Sequence, residues 1–156
     1  MSDLVADQSC RQDVLLPFIG EEITRVSFDY AVSLLFLNGI ELRIEAPFSI
    51  YDADAVVTVD PEGEPLLAGV ALRLSRRVVQ DAAVTVTGVL EIAVSGDLVV
   101  RVPPSKKYES WDMSGPHGVM VVSIPGGELA VWSDVSWRKK WHFGRAKRRL
   151  MARSSF

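Results

Sequence analysis

From Val26 to Phe36 every even position is apolar (Val26, Phe28, Tyr30, Val32, Leu34, Phe36), while Ser27, Asp29, Ala31 and Ser33 hold odd positions. A period of two belongs to a half-buried strand, because successive side chains point to opposite faces. After Asn38-Gly39 the even positions are apolar again (Ile40, Leu42, Ile44) and alternate with Glu41, Arg43 and Glu45, which predicts the second strand of a hairpin. A two-residue Asn-Gly loop would pair Phe36 with Glu41 and set the two apolar faces against each other. The three-residue loop Leu37-Asn38-Gly39 keeps the parity, with Gly39 in the left-handed region that a Cβ disfavours.

The same device recurs. Leu90, Ile92 and Val94 alternate with Glu91 and Ala93, Ser95-Gly96-Asp97 turns, and Leu98, Val100 and Val102 continue. Phe36, Ile40 and Ile44 map onto Val94, Leu98 and Val102 with a constant offset of 58, and each hairpin runs into proline, Pro47 or Pro103-Pro104. Later turns, Pro61-Glu62-Gly63 and Pro125-Gly126-Gly127, also correspond. The pattern is that of two related halves, about 20–75 and 78–133, against the simpler reading that any two hairpins look alike. Further strands are predicted near Ala55–Val59, Arg77–Val86, Val119–Ile124 and Leu129–Trp132.

Between the halves Pro65 opens a segment with Leu66, Leu67, Val70, Ala71 and Leu74 on one helical face. Glu62 and Glu64 precede it, and Arg73, Arg76 and Arg77 close it, as the helix dipole favours. The expected fold is α+β and mainly β: an antiparallel sheet, curled or folded on itself, built of two related hairpin halves with one helix near 64–76 and a basic C-terminal tail. The domain division is an N-terminal arm over 1–14, a single β-rich domain over 15–133 and the tail over 134–156.

Composition adds compartment and charge. With 48% hydrophobic and 24% charged residues the chain has the balance of a globular protein. Its one cysteine, Cys10, leaves no partner for an intramolecular disulfide and no Cys-based zinc set. Acids stand at the N-terminus where a secretory signal carries bases, and no apolar run approaches the length of a membrane span. The expectation is a cytoplasmic protein without a transmembrane segment. The net charge of −3 conceals an asymmetry: residues 134–156 hold eight Lys or Arg and one acid, leaving nine bases and nineteen acids in residues 1–133. The body is near −10 and the tail near +7, a split that suits self-docking or an anionic partner.

Candidate chemistry is sparse. His117 and His142 are the only histidines and share no metal-ligand spacing. Gly126-Gly127 lacks the Lys-Ser/Thr of a phosphate loop and reads as a tight turn. Tyr108, Glu109, Trp111, Asp112 and His117 gather acids, a histidine and aromatics on what reads as a loop, where Glu109 and His117 form a conceivable acid–base pair. The competing reading buries the Tyr108 and Trp111 rings over the sheet and gives Asp112 and Ser114 to turn amides, with no catalytic residue. In the tail, Trp137, Arg138, Lys139, Lys140, Trp141, Arg145, Lys147, Arg148 and Arg149 interleave cations with aromatics, which fits nucleic acid or an anionic surface, or rings docked on the body with solvated cations. No cofactor is expected.

The segments Asn38-Gly39-Ile40-Glu41-Leu42, Tyr108-Glu109-Ser110-Trp111-Asp112 and Pro125-Gly126-Gly127-Glu128-Leu129-Ala130-Val131-Trp132 resemble a small uncharacterised bacterial family of unknown function, over about residues 15 to 132. Such proteins are similar in size and style to the immunity proteins that neutralise bacterial toxins. The resemblance implies a binding protein with a protein partner, immunity-type or regulatory, and carries over no functional residue. Nucleic-acid binding through the tail is the alternative, and an exposed edge strand would permit a homo-oligomer.

Overall fold

A computed structural model describes residues 10–132. Within them the strands are β1 (Ile23–Phe28), β2 (Val32–Phe36), β3 (Glu41–Ile44), β4 (Phe48–Asp52), β5 (Ala55–Val59), β6 (Val79–Val84), β7 (Leu90–Val94), β8 (Leu98–Val102), β9 (Trp111–Ser114), β10 (Met120–Ser123) and β11 (Leu129–Trp132). A short helix, α1 (Pro65–Ala68), lies between β5 and β6. The strands form two antiparallel sheets, ordered β1-β2-β3-β9-β10-β11 and β5-β4-β8-β7-β6, so the described residues are mainly antiparallel β with one short α-helix. One core draws on both sheets, with Phe36, Leu42 and Trp111 from the first and Phe48, Ile50 and Val100 from the second. Each such side chain removed from water contributes about 1.5–3 kcal/mol.

The two sheets are built by the same exchange of strands. The meander β1-β2-β3 is continued by the hairpin β9-β10, and the meander β6-β7-β8 by the hairpin β4-β5. In register, Leu42 of β3 faces Met113 of β9 as Val100 of β8 faces Ile50 of β4. A bulge sits at the same place in both meanders, between Ile23 and Arg25 and between Val79 and Asp81. Pro47 lies at the crossing from β3 to β4, and Pro103-Pro104 at the crossing from β8 to β9. Without an N–H, proline cannot extend the ladder that the chain is leaving.

Two expectations are corrected. The alternation from Val26 to Phe36 is two strands, joined at Asp29-Tyr30-Ala31, where Asp29 Oδ1 accepts from the Ala31 amide at 2.8 Å and Phe28 stands opposite Val32. That loop has an odd number of residues, so the even-position pattern runs through it unbroken. The loop at Leu37-Asn38-Gly39 forms as expected: Gly39 has φ +87°, and Gly39 N–H donates to Phe36 O at 2.9 Å. In its counterpart the closing left-handed position is filled by Asp97 rather than glycine.

The predicted helix ends after one turn at Ala68 and continues as a 3-10 segment, Gly69–Leu74. The buried residues are Ala68, Ala71 and Leu74, spaced by three as a 3-10 helix demands, while Leu66 and Leu67 are exposed at 92% and 73%. A face drawn at 3.6 residues per turn therefore wrongly included Leu66 and Leu67 beside Ala71 and Leu74, which are buried. Glu91 alternates with the apolar Leu90 and Ile92. It is nevertheless buried, with its carboxylate on Arg101 Nε at 3.1 Å and Arg101 lying over the Tyr51 ring.

The described part of the N-terminal arm is laid along β6. Val86 N–H donates to Cys10 O at 2.9 Å and Gln12 N–H to Val84 O at 2.6 Å, while Arg11 pairs with Asp81 at 2.8 Å. Leu15, Leu16 and Phe18 then enter the core, Phe18 stacking on Phe36 with ring centroids 4.7 Å apart. Among the described residues no helix is long and apolar enough to cross a membrane.

Candidate functional site

The segment 108–118, which reads as a loop, is pinned by β9 in the middle of the six-stranded sheet. Trp111 and Met113 point into the core opposite Ile44 and Leu42, and Asp112 and Ser114 point outward. Four alternating residues are too few to stand out as a strand in the sequence. Trp111 is 0% exposed and its indole N–H has no hydrogen-bond partner, so it anchors β9 by packing alone. Just before it, buried Ser110 donates its hydroxyl to Ser123 at 3.0 Å, and its carbonyl accepts from the Glu45 and Ala46 amides at 2.9 and 3.1 Å. These contacts fix the backbone of Glu109 and Asp112 beside the end of β3.

Across the outer face of this sheet the register places Ser27, Ser33, Arg43, Asp112, Val122 and Ala130 in one row. Arg43 donates to both carboxylate oxygens of Asp29 at 3.1 and 2.9 Å and to Glu45 at 3.3 Å. That ion pair and the Ala31 amide hold the Asp29 carboxyl below its usual value, and Asp29 in turn raises Arg43. Asp112 receives no hydrogen bond from a described residue. Burial pushes its pKa up to about 6, and the charges of Glu45, Glu109 and Glu41 add to this while Arg43 opposes it. The result is a patch of four acids in which Glu41, Glu45 and Glu109 surround the half-buried, poorly compensated carboxyl of Asp112.

The structure therefore brings Glu109 and Asp112 together and adds Glu41 and Glu45, which the sequence showed only as the polar alternation of a strand. It does not bring His117 to them. His117 is exposed in a short turn beyond β9, with φ +63°, past the Ser114 end of the strand. Tyr108 is exposed, its amide donating to Ser105 Oγ at 3.3 Å. The turn at Gly126-Gly127 is a close approach of chains: both glycines have positive φ, and a Cβ on Gly127 would stand 2.7 Å from Thr87 O. The predicted tail residues Trp137, Arg138, Lys139, Lys140, Trp141, Arg145, Lys147, Arg148 and Arg149 lie outside the described residues. Among the described residues no group of three or more His, Cys, Asp or Glu is placed to hold a metal ion.

What the arrangement offers is electrostatic: a rigid, negatively charged sheet face that a cation would relieve. A family model described as a family of unknown function (DUF6188) matches residues 14–133. Neither the curated proteins nor the solved structures contain a significant match.

Proposed function

We propose that this chain, which belongs to the DUF6188 family of unknown function, is a cytoplasmic, non-catalytic binding protein whose acidic sheet face docks on a cationic protein partner, as in an immunity-type or regulatory pair. The observation that carries this reading is Asp112, a half-buried carboxyl raised to about 6 and flanked by Glu41, Glu45 and Glu109. In isolation such a carboxylate is destabilised by desolvation and like charge. A Lys or Arg presented by a partner relieves the like charge and offsets the desolvation by direct pairing, and complementary charge of this kind speeds encounter and fixes register. The excess of ten negative charges over residues 1–133 extends the same field around the site.

Carboxyl-to-amine cross-linking in extracts of the native host tests the reading. A protein joined to Glu41, Glu45, Glu109 or Asp112 in the wild type, and lost from the double variant Glu41→Lys/Asp112→Lys, is the expected result. Equal capture by both sinks it. The cations and tryptophans of residues 134–156 support a second reading, in which that segment binds nucleic acid. Salt-sensitive DNA or RNA binding that survives deletion of 134–156 would remove this alternative.

A further inference from the structure

The exchange that relates the two sheets leaves one strand unmatched. Under it β1 corresponds to β6, β2 to β7, β3 to β8, β9 to β4 and β10 to β5, so that each sheet contains the same five strands. The six-stranded sheet has in addition β11, which pairs with the far side of β10: Met120 faces Trp132, Val121 faces Val131, Val122 faces Ala130 and Ser123 faces Leu129. The turn Pro125-Gly126-Gly127 delivers that strand. Its counterpart, Pro61-Glu62-Gly63, delivers α1 instead, and the 3-10 segment that follows packs toward β1. Among the described residues no strand and no backbone group pairs with the outer side of β5.

Two other edges are blunted in ways that β5 is not. β6 is bulged and covered by Cys10–Gln12, and β1 is bulged, carries Arg25 and is bonded at Ile23 to the Arg76 and Arg77 backbone. β5, with the sequence Ala-Val-Val-Thr-Val, has no charge, proline, glycine or bulge, and its register with β4 is continuous from Ala55 to Val59. Val56 is 54% exposed on it. The two-residue loop Ala53-Asp54 makes Asp52 and Ala55 a hydrogen-bonded pair, so the bonding to β4 alternates and leaves the N–H and C=O of Val56 and Thr58 directed outward. An open apolar edge of this sort is a template for strand addition.

We propose that β5 accepts an antiparallel strand from the cationic partner protein, supplying in trans what β11 supplies to β10. The inference rests on the partner reading given above and names a second contact surface for it. The β11 pairing sets the chemistry of the added strand: apolar side chains opposite Val57 and Val59, where Val131 and Leu129 stand in the other sheet. Exposed acids flank the edge, Asp54 at one end and Asp60, Glu62 and Glu64 at the other. An antiparallel strand therefore needs cations before its first residue and after its last. The same acids disfavour a second copy of β5 as the occupant, because antiparallel self-pairing about Val57 brings Asp54 of one copy toward Asp60 of the other.

The test uses the full chain, labelled with 15N, and a synthetic peptide in which the Leu-Ala-Val-Trp sequence of residues 129–132 is flanked by two lysines at each end. The expected result is that the Val56 and Thr58 amides shift and gain exchange protection. Thr58→Pro, which deletes an outward N–H, and Val56→Lys, which places a charge on the edge, each weaken binding at least tenfold. Two variants are needed because Thr58→Pro alone could disturb the strand. Absence of binding, wild-type affinity in both variants, or protection confined to β9 and β10 overturns the proposal. So does sedimentation of the free chain as a dimer that Val56→Lys dissociates, which would assign the edge to a second copy. Peptide binding at β5 with no cross-link to the Glu41/Asp112 face would instead spare this inference and discard the acidic docking face.

Discussion

Arg43 and Asp112 stand opposite one another on β3 and β9, yet the Arg43 guanidinium is turned to Asp29 and Glu45. The cation that the register offers to Asp112 is thus occupied elsewhere, and Asp112 keeps only its long-range field. This is why two acids on one sheet face move in opposite directions, Asp29 below the ordinary carboxylate value and Asp112 up to about 6.

Stability should fall with rising pH because of Asp112. Its folded-state pKa of about 6 lies above the ordinary 3.8, so the folded chain binds the proton more tightly than the unfolded one. The contribution is complete below about pH 4 and is lost as pH rises through 6. Asp112→Asn removes that loss. Urea unfolding should find the variant about 1 kcal/mol more stable than wild type at pH 7.5, after allowance for solvent screening, with the gap closing toward pH 4.

Removing Arg43 should couple the two carboxyls. In Arg43→Gln the Asp29 carboxyl loses its main hydrogen-bond donor and returns toward its ordinary value, while Asp112 loses its one opposing charge and rises further. Carboxyl-detected NMR titration reads both. A fixed Asp112 would show that Arg43 does not act on it.

Trp111 should tolerate the loss of its indole nitrogen far better than the loss of its ring. Because the N–H has no partner, Trp111→Phe forfeits packing but no hydrogen bond. About 1–2 kcal/mol is expected for it, against about 3–5 kcal/mol for Trp111→Ala. Equal costs in denaturant melts would contradict the account of Trp111 as a peg held by packing.

The contact between Gly88 and Gly127 should not admit a methyl group. Both residues have φ above +90°, and a Cβ on Gly88 would lie 2.5 Å from Gly127 Cα. Gly88→Ala combines left-handed strain with a backbone clash, so a loss on the order of 2–4 kcal/mol is expected in thermal or urea melts. Gly20→Ala is the control: its φ is +86° with nothing within 4 Å, and only the conformational part, about 1 kcal/mol, should appear.

The sequence was legible where a rule is local. The odd loop with Gly39 and the two proline stops follow from sterics within a few residues, and each is found where expected. The strand β9 escaped because Trp111 to Ser114 offers only two alternations, and the break at Asp29 to Ala31 escaped because an odd loop preserves parity. The acidic face was illegible for a different reason. Glu41 and Glu45 meet Glu109 and Asp112 only through the pairing of β3 with β9, and no local pattern announces a partner about seventy residues away.

The exchange of hairpins also dictates an order of events during synthesis. β3 has no second neighbour until β9 has left the ribosome, and β4 waits likewise for β8. The first sixty residues therefore emerge with two apolar sheet edges open at once, a nascent state that a holdase chaperone would recognise. A nick in the Asp60 to Gly63 turn, by contrast, would leave two fragments that each lack the strands to finish a sheet.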